Sequence, residues 1–167
     1  MLVIAKNPRE LSFGKMMEIY VEGCLERGQE LYPDETEARQ IAIGEQEFYN
    51  YLEQVFFRTP NAFYAVWQTE GEYVSALRLE PFRDGMLLEA LETRPDSRRK
   101  GHAKALIEAV LEQIGDVKIY SHVRKSNLTS MRTHESCGFQ KCLDHAVCVD
   151  GSVRQDTVTM GYMKCRK

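Results

Sequence analysis

Hydrophobic positions along the chain switch between a helical and a strand period, and the switches mark out the elements. Leu2 to Ala5 is a short apolar run closed by Lys6-Asn7-Pro8 and reads as a strand. From Arg9 to Arg27, the residues Met17, Tyr20, Val21, Cys24 and Leu25 recur at helical spacing, with Gly28 expected as the stop. Pro33-Asp34 is a turn. Glu35 to Arg58 gives a second helix with Ile41, Phe48, Leu52, Val55 and Phe56 on one face. Gly44 is expected to break or kink this helix, and Thr59-Pro60-Asn61 to end it.

The pattern then becomes one of strands. Ala62 to Gln68 and Tyr73 to Leu79 are rich in β-formers and flank Thr69-Glu70-Gly71-Glu72, which predicts a hairpin. Pro81 to Gly85 is a turn, and a strand from Met86 through Leu87–Thr93 completes a three-stranded meander. Ala103, Leu106, Ile107, Val110, Leu111 and Ile114 follow i, i+3, i+4, i+7, i+8, i+11, an amphipathic helix closed by Gly115. Val117 to Val123 is a strand. Asn127 to Cys137 is a helix with Ser126 or Asn127 as N-cap and Gly138 as its stop. Cys142 to Val149 and Thr157 to Lys164 are expected to pair around a turn at Asp150-Gly151. The order β, αα, βββ, α, β, α, ββ predicts an α/β fold: one mixed sheet with helices on both faces, in a single domain over residues 1–167.

Composition narrows the function classes. A chain of 167 residues with 43% hydrophobic and 28% charged residues builds a proper globular core. Its 22 Lys+Arg against 25 Asp+Glu give a net charge of −3, which argues against broad nucleic-acid binding but not against one local basic loop. No apolar run reaches the roughly 18 residues of a membrane span, so no membrane partner is expected. The first residues, MLVIAKNPRE, lack the layout of a signal peptide, and a cytoplasmic location is expected. The five cysteines, Cys24, Cys137, Cys142, Cys148 and Cys165, show no C-x-x-C spacing. They read as free, mostly buried thiols in a reducing compartment, and no metal site is expected.

The stretch LLEALETRPDSRRKGHA, Leu87 to Ala103, carries the first chemical signal. A buried strand feeds a short turn, and the turn delivers Arg98, Arg99 and Lys100 to a glycine, Gly101, that opens a helix. The first turn of a helix presents unpaired backbone N–H groups and a partial positive charge. Glycine there lets an anion come close to the backbone. This is the physics of a diphosphate site.

The pattern Arg98-x-x-Gly101-x-Ala103 after a strand resembles the acyl-CoA pyrophosphate loop of the GNAT N-acetyltransferase superfamily, Gln/Arg-x-x-Gly-x-Gly/Ala. Downstream, Asn127-x-x-Ser130-x-x-x-His134-x-x-x-Gly138-Phe139 resembles the GNAT segment Asn-x-x-Ala-x-x-x-Tyr-x-x-x-Gly-Phe. The resemblance implies a GNAT-like fold: a central mixed, mostly antiparallel sheet of about seven strands flanked by about four helices. It implies an acetyltransferase that moves acetyl from acetyl-CoA to a primary amine by direct attack in a ternary complex, with no metal. The pantetheine arm would lie between the strands at Leu87–Thr93 and Val117–Val123. The Leu91 N–H would hold the thioester carbonyl, and the Thr93 backbone would pair with the pantetheine amides. Arg98, Arg99, Lys100, Gly101, His102 and Ala103 would hold the diphosphate, with Asn127 and Ser130 flanking the cofactor. A small-molecule or peptide amine is the implied acceptor, and a homodimer is compatible with the family.

Three residues are candidates for proton transfer. His134 stands where the family usually has Tyr, either as an acid for the departing thiolate or merely filling the slot. Strand alternation puts Glu89 on one face with Leu87, Leu91 and Thr93. There it is either a base among apolar neighbours, with Glu92 turned to the other face, or an ion-paired strand glutamate. His122, just before Val123-Arg124-Lys125-Ser126-Asn127, is the second candidate base or a satisfied strand histidine. A non-catalytic acyl-CoA-binding sensor is the alternative reading, because the loop is kept while the usual Tyr is not.

Overall fold

A computed structural model describes residues 1–163 of the chain. The strands are β1 (Leu2–Ala5), β2 (Phe63–Thr69), β3 (Glu72–Phe82), β4 (Gly85–Thr93), β5 (Ile119–Arg124), β6 (Gln140–Leu143), β7 (Ala146–Val147), β8 (Val153–Arg154) and β9 (Thr157–Tyr162). The helices are α1 (Phe13–Leu31), α2 (Glu37–Gln54), α3 (His102–Ile114) and α4 (Leu128–Ser136). Seven strands form one sheet in the order β1-β2-β3-β4-β5-β9-β6. Every pairing in it is antiparallel except β4 with β5. The expected final pair is β6 with β9. The turn at Gly151 belongs instead to a separate small ribbon, β7 with β8. Lys164, expected to end the last strand, lies outside the described residues, as does Cys165.

Each face of the sheet has its own core. Leu77, Leu79 and Leu88 pack with Leu106, Ile107, Val110 and Phe139 under α3 and α4. Tyr64, Val66 and Ala76 pack with Met16, Ile19, Tyr20, Leu52 and Phe56 under α1 and α2. Of the cysteines, Cys24 and Cys137 are buried, Cys148 is half-buried and Cys142 is exposed, so the expectation of mostly buried thiols holds for only part of the set.

Two glycines expected to interrupt helices do the opposite. Gly28 lies inside α1, which runs on to Leu31, and Gly44 lies inside α2. A Cβ on Gly28 would stand 1.9 Å from the Gln40 carbonyl oxygen, and one on Gly44 would stand 1.9 Å from the Cys24 carbonyl oxygen. Each helix therefore lends a bare backbone to the other, and the pair packs closer than side chains permit.

The strand β4 is also irregular. Ala90 adopts φ +50, and the β3–β4 register slips between the Ala76–Glu92 and Arg78–Glu89 pairs, so two residues of β4 have no partner on β3. This is a bulge. Alternation fails across it. Leu88 and Leu91 both pack on the α3 side, while Ala90 packs with the α1 side. Glu89 and Glu92 consequently share a face, the one under α1 and α2, and Leu91 does not share it. This corrects the expected grouping of Glu89 with Leu91 and Thr93 and the opposite placement of Glu92. The Tyr20 hydroxyl of α1 donates to the Ala90 carbonyl at 2.7 Å and pins the bulge.

Candidate active site

The parallel pairing of β4 with β5 has three rungs, Met86–Ile119, Leu87–Tyr120 and Leu88–Ser121, and then stops. Beyond Leu88 the strands part. A cleft of about 560 Å³ opens there, lined by Leu91 and Thr93 of β4, Arg98, Gly101 and Ala103 of the loop, and Asn127 and Ser130 at the start of α4. Arg99 and His102 also line it. The sequence-predicted cofactor residues are thus drawn together around one opening, Lys100 excepted.

The loop has the geometry of an anion cradle. Arg99 and Gly101 both take left-handed backbone, at φ +62 and φ +82. Alternating conformations of this kind turn successive N–H groups toward one point. Gly101 caps α3 with no side-chain hydrogen bond, so the first-turn N–H groups stay open. A Cβ on Gly101 would meet nothing within 4 Å, so the backbone faces free space. The cations are held in place from outside: Arg98 pairs with Glu22 of α1, and Lys100 Nζ donates to the Asp96 carbonyl at 2.9 Å. Arg98 Nε also donates to the Thr93 carbonyl at 3.2 Å. Arg94, bonded to Asp96 at 2.7 Å and to Glu18 at 3.1 Å, ties the base of the loop to α1. The Asn127 side-chain oxygen accepts from the Ser130 N–H and caps α4, which leaves its amide NH₂ available toward the cleft.

His134 is only 1% exposed. Its Nε2 lies 2.9 Å from the Ser121 hydroxyl and its Nδ1 2.8 Å from the Ser130 carbonyl. A carbonyl only accepts, so Nδ1 carries the proton and Ser121 donates to Nε2. Burial holds the imidazole below its ordinary titration range. His134 therefore clamps α4 to β5 behind the cleft wall.

This arrangement predicts a pH effect on stability. The folded protein resists protonating His134, whereas the unfolded chain takes that proton near pH 6.5. The unfolded state then binds more protons, and the contribution of His134 shrinks as pH falls below about 6.5. His122, also held low by burial, acts in the same sense, and Glu80, held high, acts in the opposite one. Both remain in a His134→Gln variant and cancel in the comparison. The variant is expected to be less stable by on the order of 2 kcal/mol at pH 7.5, with a smaller deficit at pH 5.5. Urea titrations at the two pH values check this.

Glu89 and His122 stand on the other face, just past the last rung. Glu89 is bound to Arg78 at 3.2 Å, the ion-paired of its two expected settings. The Arg78 guanidinium lies over the rings of Tyr51 and Phe56, at 4.8 and 5.6 Å from their centroids. His122 packs its ring edge-on against Phe82 at 5.5 Å, and its Nε2 is buried without a hydrogen-bond partner among the described residues. Glu80, absent from the sequence-based candidates, joins this group from β3. A hollow of about 420 Å³ lies between α1 and α2, bounded by Tyr20, Cys24, Gly44, Phe48 and Tyr51.

The fold and this cleft define a class, and the comparisons agree with it. The model of the Acetyltransferase (GNAT) family matches residues 25–139. The chain belongs to that family and is a GNAT-family N-acetyltransferase. The ribosomal-protein-S18-alanine N-acetyltransferase of Escherichia coli is similar over 98% of this chain and 94% of its own, with 19% identity and a TM-score of 0.58. The PaiA N-acetyltransferase of Thermoplasma acidophilum, solved with coenzyme A, is similar over 98% and 99%, with 13% identity and a TM-score of 0.61. A spermidine N-acetyltransferase chimera from Vibrio cholerae is similar over 97% and 95%, with 19% identity and a TM-score of 0.58. At these identities the likeness is one of fold. No curated protein gives a significant match. Among the described residues, no helix is long and apolar enough to cross a membrane.

Proposed function

We propose that the protein transfers an acetyl group from acetyl-CoA to a primary amine by direct attack in a ternary complex. The observation that carries this reading is the cradle at Arg99–Gly101 opening onto the gap where β4 and β5 part. The N–H groups from Gly101 to Ala103, with Arg98, Arg99 and Lys100, hold the diphosphate. The Thr93 backbone receives the pantetheine amides, with Arg98 Nε yielding the Thr93 carbonyl on binding. Leu91 sits in the bulge, outside the residue-for-residue register with β3, and its N–H holds the thioester carbonyl as negative charge develops there. Such a donor is worth on the order of 3 kcal/mol of barrier. The Asn127 amide and the Ser130 hydroxyl border the arm. On the opposite face, Glu89 takes a proton from the amine, with His122 beside it, and the amine arrives on the side of the sheet that α1 and α2 cover. His134 acts as a positioning residue that keeps α4 and Ser130 at the cleft wall.

The test is an amine panel with acetyl-CoA, read by release of free thiol. Polyamines, aminoglycosides, amino acids and short peptides with free N-termini should include at least one acceptor that raises thiol release well above the hydrolysis background. Thermal stabilisation by acetyl-CoA with no acceptor in any class would favour the sensor reading. No stabilisation and no release would overturn both.

A further inference from the structure

Strands β3, β4 and β5 bring Arg78 and Glu80, Glu89, and His122 to one face of the sheet. Arg78 and Glu80 alternate along β3, Glu89 faces Arg78 across the β3–β4 pair, and His122 follows the rung that pairs Leu88 with Ser121. Two buried side-chain polar atoms lack a hydrogen-bond partner among the described residues, the Tyr64 hydroxyl and His122 Nε2, and they flank the Arg78–Glu89 pair from β2 and from β5. Tyr64 is 0% exposed and lies on β2 directly opposite Arg78, its hydroxyl beside the guanidinium. Orphaned polar groups are rare in folded interiors, and one on each side of a charged pair points to a polar ligand there.

We infer that Glu80 and Glu89 work as one carboxyl pair, which takes the proton of an acceptor ammonium and shares it between them. This deepens the amine-acetyltransfer reading and rests on it. Arg78, held by Tyr51 and Phe56, neutralises one of the two carboxylates permanently, so the other is answered by a single added positive charge. The pair therefore fits a primary ammonium group and disfavours an acceptor whose carboxylate lies next to its amine. Burial and the neighbouring Glu89 carboxylate push Glu80 up to about 7, the range in which a base works best at neutral pH. Arg78 on its own strand and Tyr51 on α2 also face Glu80, Tyr64 on β2 and Tyr20 on α1 face Arg78, and His122 on β5 faces Glu89, with Arg83 and Arg154 acting on His122 from the rim.

The step balances. One N–H bond of the ammonium breaks, and its proton goes to the carboxyl pair. The nitrogen lone pair forms the bond to the thioester carbon, and the C–S bond breaks with its electrons on sulfur. The second proton shed by the new amide nitrogen neutralises the thiolate. The pair returns its proton to solvent as the product leaves.

Glu80→Gln is isosteric and leaves the Arg78–Glu89 pair intact, so it is expected to fold. The first readout is the carboxyl ¹³C titration of the protein without ligands, labelled at glutamate. One glutamate resonance should titrate near neutrality in the wild type and no such resonance should remain in Glu80→Gln. The second readout is the pH profile of thiol release with the best amine of the panel. Its acid limb should move down by about one pH unit or more, and the plateau should fall about tenfold, with the KM for acetyl-CoA unchanged. A wild type in which every glutamate titrates below pH 5.5 overturns the pair, whether or not an acceptor has been found. An unmoved acid limb in Glu80→Gln overturns its part in catalysis. If the titration shows the shared proton while no amine reacts, the acetyl-transfer reading fails and the pair stands.

Discussion

Alanine at Gly44 will lower the stability of the protein by about 3 to 5 kcal/mol, a large share of what holds a domain of this size folded. The new methyl carbon would have to sit 1.9 Å from the Cys24 carbonyl oxygen, in the middle of α1. Backbone cannot rotate away as the end of a side chain can, so α1 and α2 must separate. That separation loosens the contacts of Tyr20, Cys24 and Leu52 in the core beneath. Gly28→Ala meets the Gln40 carbonyl oxygen in the same way and should behave alike. Gly23 provides the control. It lies in α1 with nothing within 4 Å of a Cβ, so Gly23→Ala should be neutral or stabilising by about 0.5 to 1 kcal/mol. Urea midpoints of the three variants decide the matter. A Gly44→Ala protein with the wild-type midpoint would remove the close helix crossing from this account.

Reversing charge at the loop will have the largest effect on ligand binding. Arg98→Glu with Arg99→Glu should weaken coenzyme A binding, measured by calorimetry, at least 100-fold. Each charge-assisted contact to a phosphate is worth roughly 1.5 to 3 kcal/mol, and two carboxylates in their place add repulsion. The Arg98 contribution is reduced in the wild type, because the diphosphate must draw it away from Glu22 and from the Thr93 carbonyl. In the double variant the new carboxylate at 98 also faces Glu22, so the loop itself is expected to open outward. Lys141→Glu, on β6 and away from the cleft, serves as the comparison and should bind normally. Equal binding by the double variant would leave the cradle without a role.

Much of this molecule was legible in the pattern of residues, for identifiable reasons. The span of β1 and the amphipathic course of α3 follow directly from apolar periodicity. The cap of α4 follows from Asn127, whose side chain does accept from the Ser130 N–H. The loop was legible because its chemistry is local: three cations and a glycine at a helix start need no distant partner to be recognised. What the pattern does not carry depends on contacts far apart in the chain. Gly28 looks like a stop, but a helix stop needs left-handed backbone, and the crossing with α2 sets its use. The bulge at Ala90 has no glycine to announce it, so the faces of Glu89, Leu91 and Glu92 could not be read from alternation. Glu80 is hidden in the sequence because Pro81 suggests a turn, whereas β3 continues to Phe82 with Pro81 paired to Met86. His134 fits the expected motif position, yet its two hydrogen bonds come from the approach of α4 to β5.

The brevity of the parallel pairing between β4 and β5 has a mechanical consequence. Every strand on one side of it comes from the first 93 residues, and every strand on the other from residue 119 onward. The sheet is thus two sequence-contiguous leaves stitched by three rungs along a common seam. The antiparallel weave of each leaf does not depend on that stitch, but one buried core crosses it, joining Leu77, Leu79 and Leu88 of one leaf to Ile119, Val123 and Met160 of the other. The two leaves are therefore bound at their spine like a book held ajar, and the mouth between them keeps a fixed width for a long, thin guest.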